Sequence, residues 1–250
     1  MGCVIAMAGK GGTGKTTIAA LLVRIIKEKK MGSVLAIDAD PNSNLGELLG
    51  LEINETIGSI LDDIGSNPEK VPVSMGKDAF IEYRVQHAIE ESDGFDCLTM
   101  GRPEGPGCYC YVNNALRNSI GKLIKDYDFI VIDNEAGLEH LSRRTTRSAD
   151  SLVVISDATV VGLKAAKRIA KLIKELKIKT KKDFLIVNRS SAKLDQERLN
   201  DLGLDYLGFL PEDPEIEKAS LRGESLLKIK NDCLSLVTLR KLGEKIWQCN

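Results

Sequence analysis

Three sets of residues in this 250-residue chain have types and spacings that could do chemistry: a glycine- and lysine-rich run at 9–17, carboxylates at 38, 40 and 133, and two thiols at 108 and 110. The run Gly9-Lys10-Gly11-Gly12-Thr13-Gly14-Lys15-Thr16-Thr17 fits G-x-x-x-x-G-K-[ST] and stands between an apolar stretch, Val4 to Ala8, and a helix-like stretch, Thr17 to Lys29. Glycines let backbone N–H groups curl around phosphate oxygens, and the helix start adds partial positive charge. Lys15 is spaced to reach the outer phosphates and Thr16 to offer its hydroxyl to Mg2+. A nucleoside triphosphate site on Gly11, Gly12, Thr13, Gly14, Lys15 and Thr16 is the reading. A second lysine, Lys10, follows the first glycine, where the general pattern asks for no particular residue.

The carboxylates lie at the ends of apolar runs. Asp38-Ala39-Asp40-Pro41-Asn42 offers two acids that can serve a metal shell or orient an attacking water, although Asp-Pro-Asn is also good turn chemistry. Asp133-Asn134-Glu135-Ala136-Gly137 follows Phe129 to Ile132; Asp133 suits the outer shell of Mg2+, and Gly137 can bring a backbone N–H to the terminal phosphate. Cys108 and Cys110 close the Gly- and Pro-rich segment that starts at Gly101. Thiolates two apart in irregular chain can point the same way and hold one soft ion, but two sulfurs leave a thiolate-bound Zn2+ or a square-planar Ni2+ short of ligands. A twofold dimer would supply the missing pair. The other reading is two unrelated thiols made reactive by a helix start.

Positioning these groups requires strands that end near one another. Short apolar runs alternate with longer helical patterns, which predicts an α/β fold: a doubly wound, mainly parallel sheet of about seven or eight strands with helices on both faces. Strands are expected at Cys3 to Ala8, Val34 to Asp38, Phe95 to Met100, Phe129 to Asp133, Leu152 to Ser156, Phe184 to Asn188 and Tyr206 to Leu210. Helices are expected at Thr16 to Lys29, Thr56 to Asp63, Ala79 to Glu90, Val112 to Lys125, Leu163 to Leu176, Leu194 to Leu202, Pro214 to Leu221 and Cys233 to Trp247. No stretch reads as an interdomain linker, so residues 1–250 are expected to form one domain. In such sheets ligands bind beyond the carboxyl ends of the strands, which is where the glycine run and the carboxylates fall.

Composition narrows the partners. With 35 basic and 36 acidic residues the net charge is −1, and no basic footprint for nucleic acid shows in the total. No apolar stretch approaches the roughly 20 residues of a membrane span. The start of the chain passes straight into a strand, Ala6 breaks a myristoylation pattern and Cys249 is misplaced for prenylation, so a cytoplasmic protein is expected. Of the six cysteines, Cys3, Cys97 and Cys233 lie in apolar contexts and read as buried core with reduced thiols. The C-terminal Leu234, Val237, Leu242 and Ile246 form an apolar stripe better suited to packing on the sheet than to a membrane.

Lys10 together with Asp40 and Asp133 to Gly137 resembles the deviant Walker A ATPases, the class containing MinD, ParA and the nitrogenase iron protein, over essentially the whole chain. The resemblance implies ATP hydrolysis in a homodimer in which Lys10 reaches the partner's nucleotide. It further implies that Asp40 positions the water, Asp133 supports Mg2+ with Asp38 as a helper, and Thr17 contacts the α-phosphate. Asn188-Arg189 and Pro211-Glu212-Asp213 resemble the adenine site of that class, although Pro211 to Pro214 also reads as a helix-starting turn. The segment Gly101 to Cys110, with Asp133 to His140, closely resembles the CooC/AcsF nickel-insertion ATPases. That match implies that Cys108 and Cys110 of two subunits hold one Ni2+, or Zn2+ in its place, for delivery to apo carbon monoxide dehydrogenase or acetyl-CoA synthase.

Departures from neighbouring families matter too. The nitrogenase iron protein carries a cluster cysteine where Ala136 stands here, which disfavours an iron–sulfur reductase, although a cluster bridging a dimer through four thiolates stays open. A MinD- or ParA-like positioning ATPase and an iron–sulfur carrier or electron-transfer ATPase are the alternatives. His87 is expected at the surface, His140 in a structural or switch role, and Arg143, Arg144 and Arg147 on a solvated face.

Overall fold

A strand buried on both faces needs an uninterrupted apolar run, and the sequence supplies several. The computed structural model describes residues 2–67, 71–72, 74–102, 118–135, 148–191 and 194–248. The strands are β1 (Cys3–Gly9), β2 (Val34–Ala39), β3 (Ile89–Ser92), β4 (Phe95–Thr99), β5 (Phe129–Asn134), β6 (Ser148–Ser156), β7 (Lys179–Val187) and β8 (Asp205–Phe209). The helices are α1 (Lys15–Glu28), α2 (Leu45–Leu49), α3 (Ile57–Ser66), α4 (Lys77–His87), α5 (Val160–Glu175), α6 (Gln196–Leu199), α7 (Pro214–Arg222) and α8 (Leu234–Ile246). Residues 118–123 are also helical, and Ile124–Asp126 tightens into a 3-10 turn.

The eight strands form one sheet in the order β3-β4-β2-β5-β1-β6-β7-β8. Every neighbouring pair is parallel except β3 with β4. Alternate strand residues serve opposite faces. Ile5 and Met7 join the core built with α1, α7 and α8, whereas Val4, Ala6 and Ala8 join the core built with α3, α4 and α5. β1 is buried at all of its positions, and its neighbours β5 and β6 place their carboxyl ends beside the loop that follows it.

Four expectations change. The helix expected through Glu90 stops at His87, because Asp93 and Gly94, the latter at φ 79°, turn Ile89–Ser92 back onto Phe95–Thr99 as an antiparallel edge hairpin. The helix expected from Leu194 to Leu202 shrinks to Gln196–Leu199, since Asp201 and Gly203 take φ 59° and 71°, which a helix cannot continue through. α5 starts earlier than Leu163, where the Thr159 hydroxyl accepts from the Gly162 amide at 3.0 Å and caps it. Cys3 is buried as expected but is disulfide-bonded rather than a free thiol, while Cys97 and Cys233 are free and buried. Residues 112–117 of another expected helix lie outside the described residues.

The stripe expected on α8 is also corrected: of its four residues only Ile246 is buried, Leu234 is 59% exposed and Val237 and Leu242 are half-buried, because the helix turns Leu236, Leu239 and Ile246 onto the sheet instead. No helix among the described residues is long and apolar enough to cross a membrane. His87 is exposed, with Nδ1 at 3.1 Å from the Tyr83 carbonyl.

α1, the helix that starts at the glycine loop, is strapped to the segment before α8 by a buried cation. Arg24 is 3% exposed; it donates to Glu28 at 2.7 Å, to the Leu226 and Ile229 carbonyls at 2.8 and 2.9 Å, and to Asn231 Oδ1 at 2.7 Å. Arg240 closes the strap by donating to the Asn231 carbonyl at 2.9 Å and to Glu28 at 2.7 Å. Removing the Arg24 guanidinium leaves buried carbonyls without donors, so Arg24→Met is expected to cost about 3 kcal/mol in urea unfolding. Arg222→Ala, at an exposed position, should stay within about 0.5 kcal/mol of the parent.

Candidate nucleotide site

The glycine loop is shaped by what surrounds it. Gly9 ends β1 at φ 152°, where a Cβ would collide with the Ile155 carbonyl at the end of β6. Beyond it the loop folds on one oxygen: the Lys10 carbonyl accepts from the Thr13 amide at 3.4 Å, the Thr13 hydroxyl at 2.9 Å and the Lys15 ammonium at 3.4 Å. Lys15 is thereby held across the loop and is only 7% exposed, whereas Lys10 and Gly11 face solvent. Gly14 caps α1 at φ 92° and contributes no side chain, so the first amides of the helix stay available to an anion. Thr16 and Thr17 are half-buried on the first turn.

The end of β7 clasps the same loop. The buried Asn188 amide donates to the Thr13 carbonyl at 2.8 Å and fills the space a Cβ on Gly14 would need. Arg189, held in the left-handed region at φ 53°, donates its guanidinium to the Gly12 carbonyl. Asn134 does for β1 what Asn188 does for the loop: its amide donates to the Met7 carbonyl at 2.7 Å, locking the ends of β1 and β5 together. Asp157, at the end of β6, is bonded by the Thr159 hydroxyl and by its amide at 2.9 Å. Those bonds, aided by the nearby charges of Lys10 and Arg189, hold the Asp157 carboxyl below the usual range.

Asp38 and Asp133 are paired residues of the β2–β5 register, and Asp133 also pairs with Met7 of β1. Both are fully buried. Asp38 accepts from the Leu45 amide at 2.8 Å and the Asp40 amide at 3.1 Å, yet burial, reinforced by the charges of Asp133 and Asp40, raises its pKa to about 7. Burial also raises Asp133 to about 6, against the opposing pull of the Thr16 hydroxyl and the Lys15 ammonium. Neither of these two groups is hydrogen-bonded to Asp133, whose two carboxyl oxygens are buried without a partner. Hard oxygens of this kind beside a threonine hydroxyl fit Mg2+. Asp40 is half-buried, and its Oδ1 accepts from the Asn42 amide at 2.9 Å and from the Asn42 side chain at 2.8 Å. The turn chemistry and the acidic group at the strand end therefore coexist.

Sequence-distant candidates meet here only in part. The Asn188–Ser190 turn reaches the next strand end through the Ser190 amide, which donates to the Leu210 carbonyl at 3.0 Å. There the Pro211 carbonyl accepts from Ser235 Oγ at 3.1 Å, and Glu212 is exposed. The Asp213 carboxylate starts α7 by accepting from the Glu215 amide at 3.1 Å and also receives Ser235 N at 2.7 Å and Cys233 Sγ at 2.9 Å. Asp213 thus serves as a cap, with its carboxyl held low despite burial by those donors. Gly137, His140, Arg143, Arg144 and Arg147 lie outside the described residues, as do Cys108 and Cys110. Among the described residues no group of three or more His, Cys, Asp or Glu is arranged to hold a metal. Asn134 and Asp157 were not singled out from the sequence; each is a polar residue closing an apolar strand run, which is the signal that finds them.

Comparison with known proteins agrees with this geometry. The family described as CobQ/CobB/MinD/ParA nucleotide binding domain matches residues 4–227. An ATP-binding protein of Methanocaldococcus jannaschii is 43% identical over 250 residues, covering 97% of this chain and 98% of the relative. The carbon monoxide dehydrogenase accessory protein CooC of Rhodospirillum rubrum is 30% identical over 247 residues, covering 92% and 91%. Among solved structures, the septum site-determining protein MinD of Pyrococcus horikoshii in complex with Mg-ADP superimposes with a TM-score of 0.74 at 24% identity, covering 99% of this chain and 97% of that one, a likeness of fold.

The two buried aspartates give the nucleotide-free protein a distinctive pH response. Their folded pKa values, about 7 and about 6, exceed the unfolded value of 3.8, so the folded state binds more protons and loses stability as pH rises through that window. Urea unfolding between pH 5 and pH 8 should show a loss of about 2–4 kcal/mol, the larger share of which disappears in Asp38→Asn, because Asp38 has the higher folded pKa and burial is its first cause. A flat parental profile contradicts the raised pKa values.

Proposed function

This chain belongs to the CobQ/CobB/MinD/ParA nucleotide-binding family, and from that premise we propose that it is an ATP-dependent metallochaperone whose homodimer couples ATP hydrolysis to the binding of Ni2+ and its delivery to apo carbon monoxide dehydrogenase or acetyl-CoA synthase. The observation that carries the reading is the Cys108–Cys110 pair. It lies on the chain that continues from β4, whose last residue Thr99 pairs in register with Asp38 of the nucleotide site. The 30% identity to CooC, a carbon monoxide dehydrogenase accessory protein, supports the same direction.

The roles follow from the site. Lys15, held across the loop and nearly buried, meets the outer phosphates of ATP with a charge that water does not screen. Amides of residues 11–17 and the start of α1 take the remaining phosphate oxygens, with Thr17 at the α-phosphate. Thr16 and Asp133 would hold Mg2+, with Asp38 behind them, and the metal would neutralise charge developing on the phosphate oxygens. Asp40, at the end of β2, orients the water whose oxygen bonds to the γ-phosphorus as the bond to the leaving ADP oxygen breaks. Gly137 offers its amide to the terminal phosphate, and Asn188, Arg189 and the 211–213 backbone border the adenine.

The dimer rests on Lys10 and on an apolar patch. Lys10 is exposed at the tip of the loop, free to reach a second copy's nucleotide. Val160 and Val161, beside Asp157 at the same end of the sheet, are 60% and 62% exposed, and a second copy would cover them. In that arrangement the two thiol pairs complete one four-sulfur site for Ni2+ or Zn2+ at the seam. Hydrolysis then moves the strand-end segments at Asp40 and Gly137, and the dimer's affinity for the metal changes only if metal binds its nucleotide states unequally.

Two sets of variants test this. Lys15→Ala should abolish ATP binding and turnover, while Lys10→Ala should keep ATP binding yet lose analogue-induced dimerisation and lower kcat by about 100-fold or more. Cys108→Ala/Cys110→Ala should keep ATP binding but lose the roughly one Ni2+ per dimer expected of the shared site, read by metal analysis after gel filtration. Nickel transfer to each apo-enzyme with and without ATP separates delivery from storage. If the double-cysteine variant binds and transfers nickel like the parent, the metallochaperone reading is wrong.

A further inference from the structure

The outer face of α5 carries a feature that the nucleotide chemistry does not use. Leu163, Ala166, Ile169 and Ile173 turn into the core, and the opposite side of the helix presents Lys164, Lys167, Arg168, Lys171 and Lys174, all exposed. At a rise of about 1.5 Å per residue they form a cationic stripe roughly 15 Å long. The stripe lines an open groove of about 640 Å3 together with Asp201 and Gly203, and the buried Ala170 and Leu202 give that groove an apolar floor. We propose that this groove docks an acidic, amphipathic segment of a partner protein, whose carboxylates meet the lysine rim while its apolar side chains cover the floor.

Three observations favour a docking surface over a plainly solvated helix face. The chain's net charge is −1, so five cations on one face represent a segregation of charge that composition does not require. Among the described residues only Lys171 of the five is ion-paired, to Glu175 at 3.4 Å. A solvated face is also convex, whereas these cations rim a concavity with an apolar floor, and Leu172 and Leu176 nearby are 38% and 46% exposed. A nucleic-acid backbone would satisfy the rim and leave the floor uncovered; an acidic amphipathic segment satisfies both. This inference is independent of nickel delivery, since it rests on no residue of the nucleotide site or the cysteine pair.

The test uses the full chain and a fluorescent synthetic peptide of Glu, Asp and Leu, followed by anisotropy at about 0.15 M ionic strength, where charges about a Debye length apart are screened. The parent should bind the peptide, and Lys164→Glu/Lys167→Glu/Lys171→Glu should weaken binding by about tenfold or more. Lys228→Glu/Lys241→Glu/Lys245→Glu, an equal charge change at exposed positions elsewhere, should stay within about twofold, and both triple variants should retain ATPase activity. Should the first variant fold poorly, Lys164→Gln/Lys167→Gln/Lys171→Gln must show the same loss in smaller measure. No binding by the parent, equal loss in both triple variants, or tighter stripe-dependent binding of a duplex DNA probe would each overturn the proposal.

Discussion

Two aspartates held in register on neighbouring parallel strands, both sealed from water, set the terms for everything around them. A buried carboxylate is unfavourable when charged, and a second one beside it makes full ionisation of both more unfavourable still. Asp38 is only partly compensated by the Leu45 and Asp40 amides, and Asp133 is left with two unpartnered oxygens. The structure answers by bringing cationic and hydroxyl groups to the same end of the sheet, through Lys15 and Thr16 on the first turn of α1. The candidate phosphate site is therefore set against an anionic wall, an arrangement that favours a ligand arriving with a divalent cation.

That arrangement depends on sheet order. β5 enters between β1 and β2, so the strand carrying Asp133 touches both the strand carrying Asp38 and the strand feeding the glycine loop. The burial of β1 on both faces makes this junction stiff, since its side chains are packed alternately into two cores. α1 is fixed at its far end by Arg24 and Arg240, which hold it to the chain before α8. The glycine loop at the start of α1 and the C-terminal packing are consequently parts of one mechanical unit, although neither is near the other in sequence.

Much of the site was legible because its signals are local. The glycine run, the strand before it and the helix after it appear in consecutive residues, and all three are found where the pattern puts them. Asp38 and Asp133 were marked by position alone, each closing an apolar run, and the sheet brings both to the loop. The edge strand β3 was hidden because Ile89–Ser92 is only half-buried and continues a helical pattern; the Asp93-Gly94 dipeptide was the cue that outweighed it. Asn188 also does something the sequence does not announce: its amide is bonded to a loop carbonyl 175 residues away in sequence. No periodicity encodes such a bond, because it forms only after β6 and β7 have packed beside β1.

The sequence by itself determined the α/β alternation, the phosphate loop with its two lysines and the strand-end acids, since each is fixed by residue type and spacing over a few positions. Tertiary structure alone decided the order of the strands, the side-by-side burial of Asp38 and Asp133, the clasp of Asn188 and Arg189 on the loop and the gathering of α5's cations at a concave groove. The physical reason is the same in each case. Backbone preference and hydrophobic pattern act along the chain, whereas burial, desolvation of charge and hydrogen bonds between distant segments exist only once the sheet has assembled.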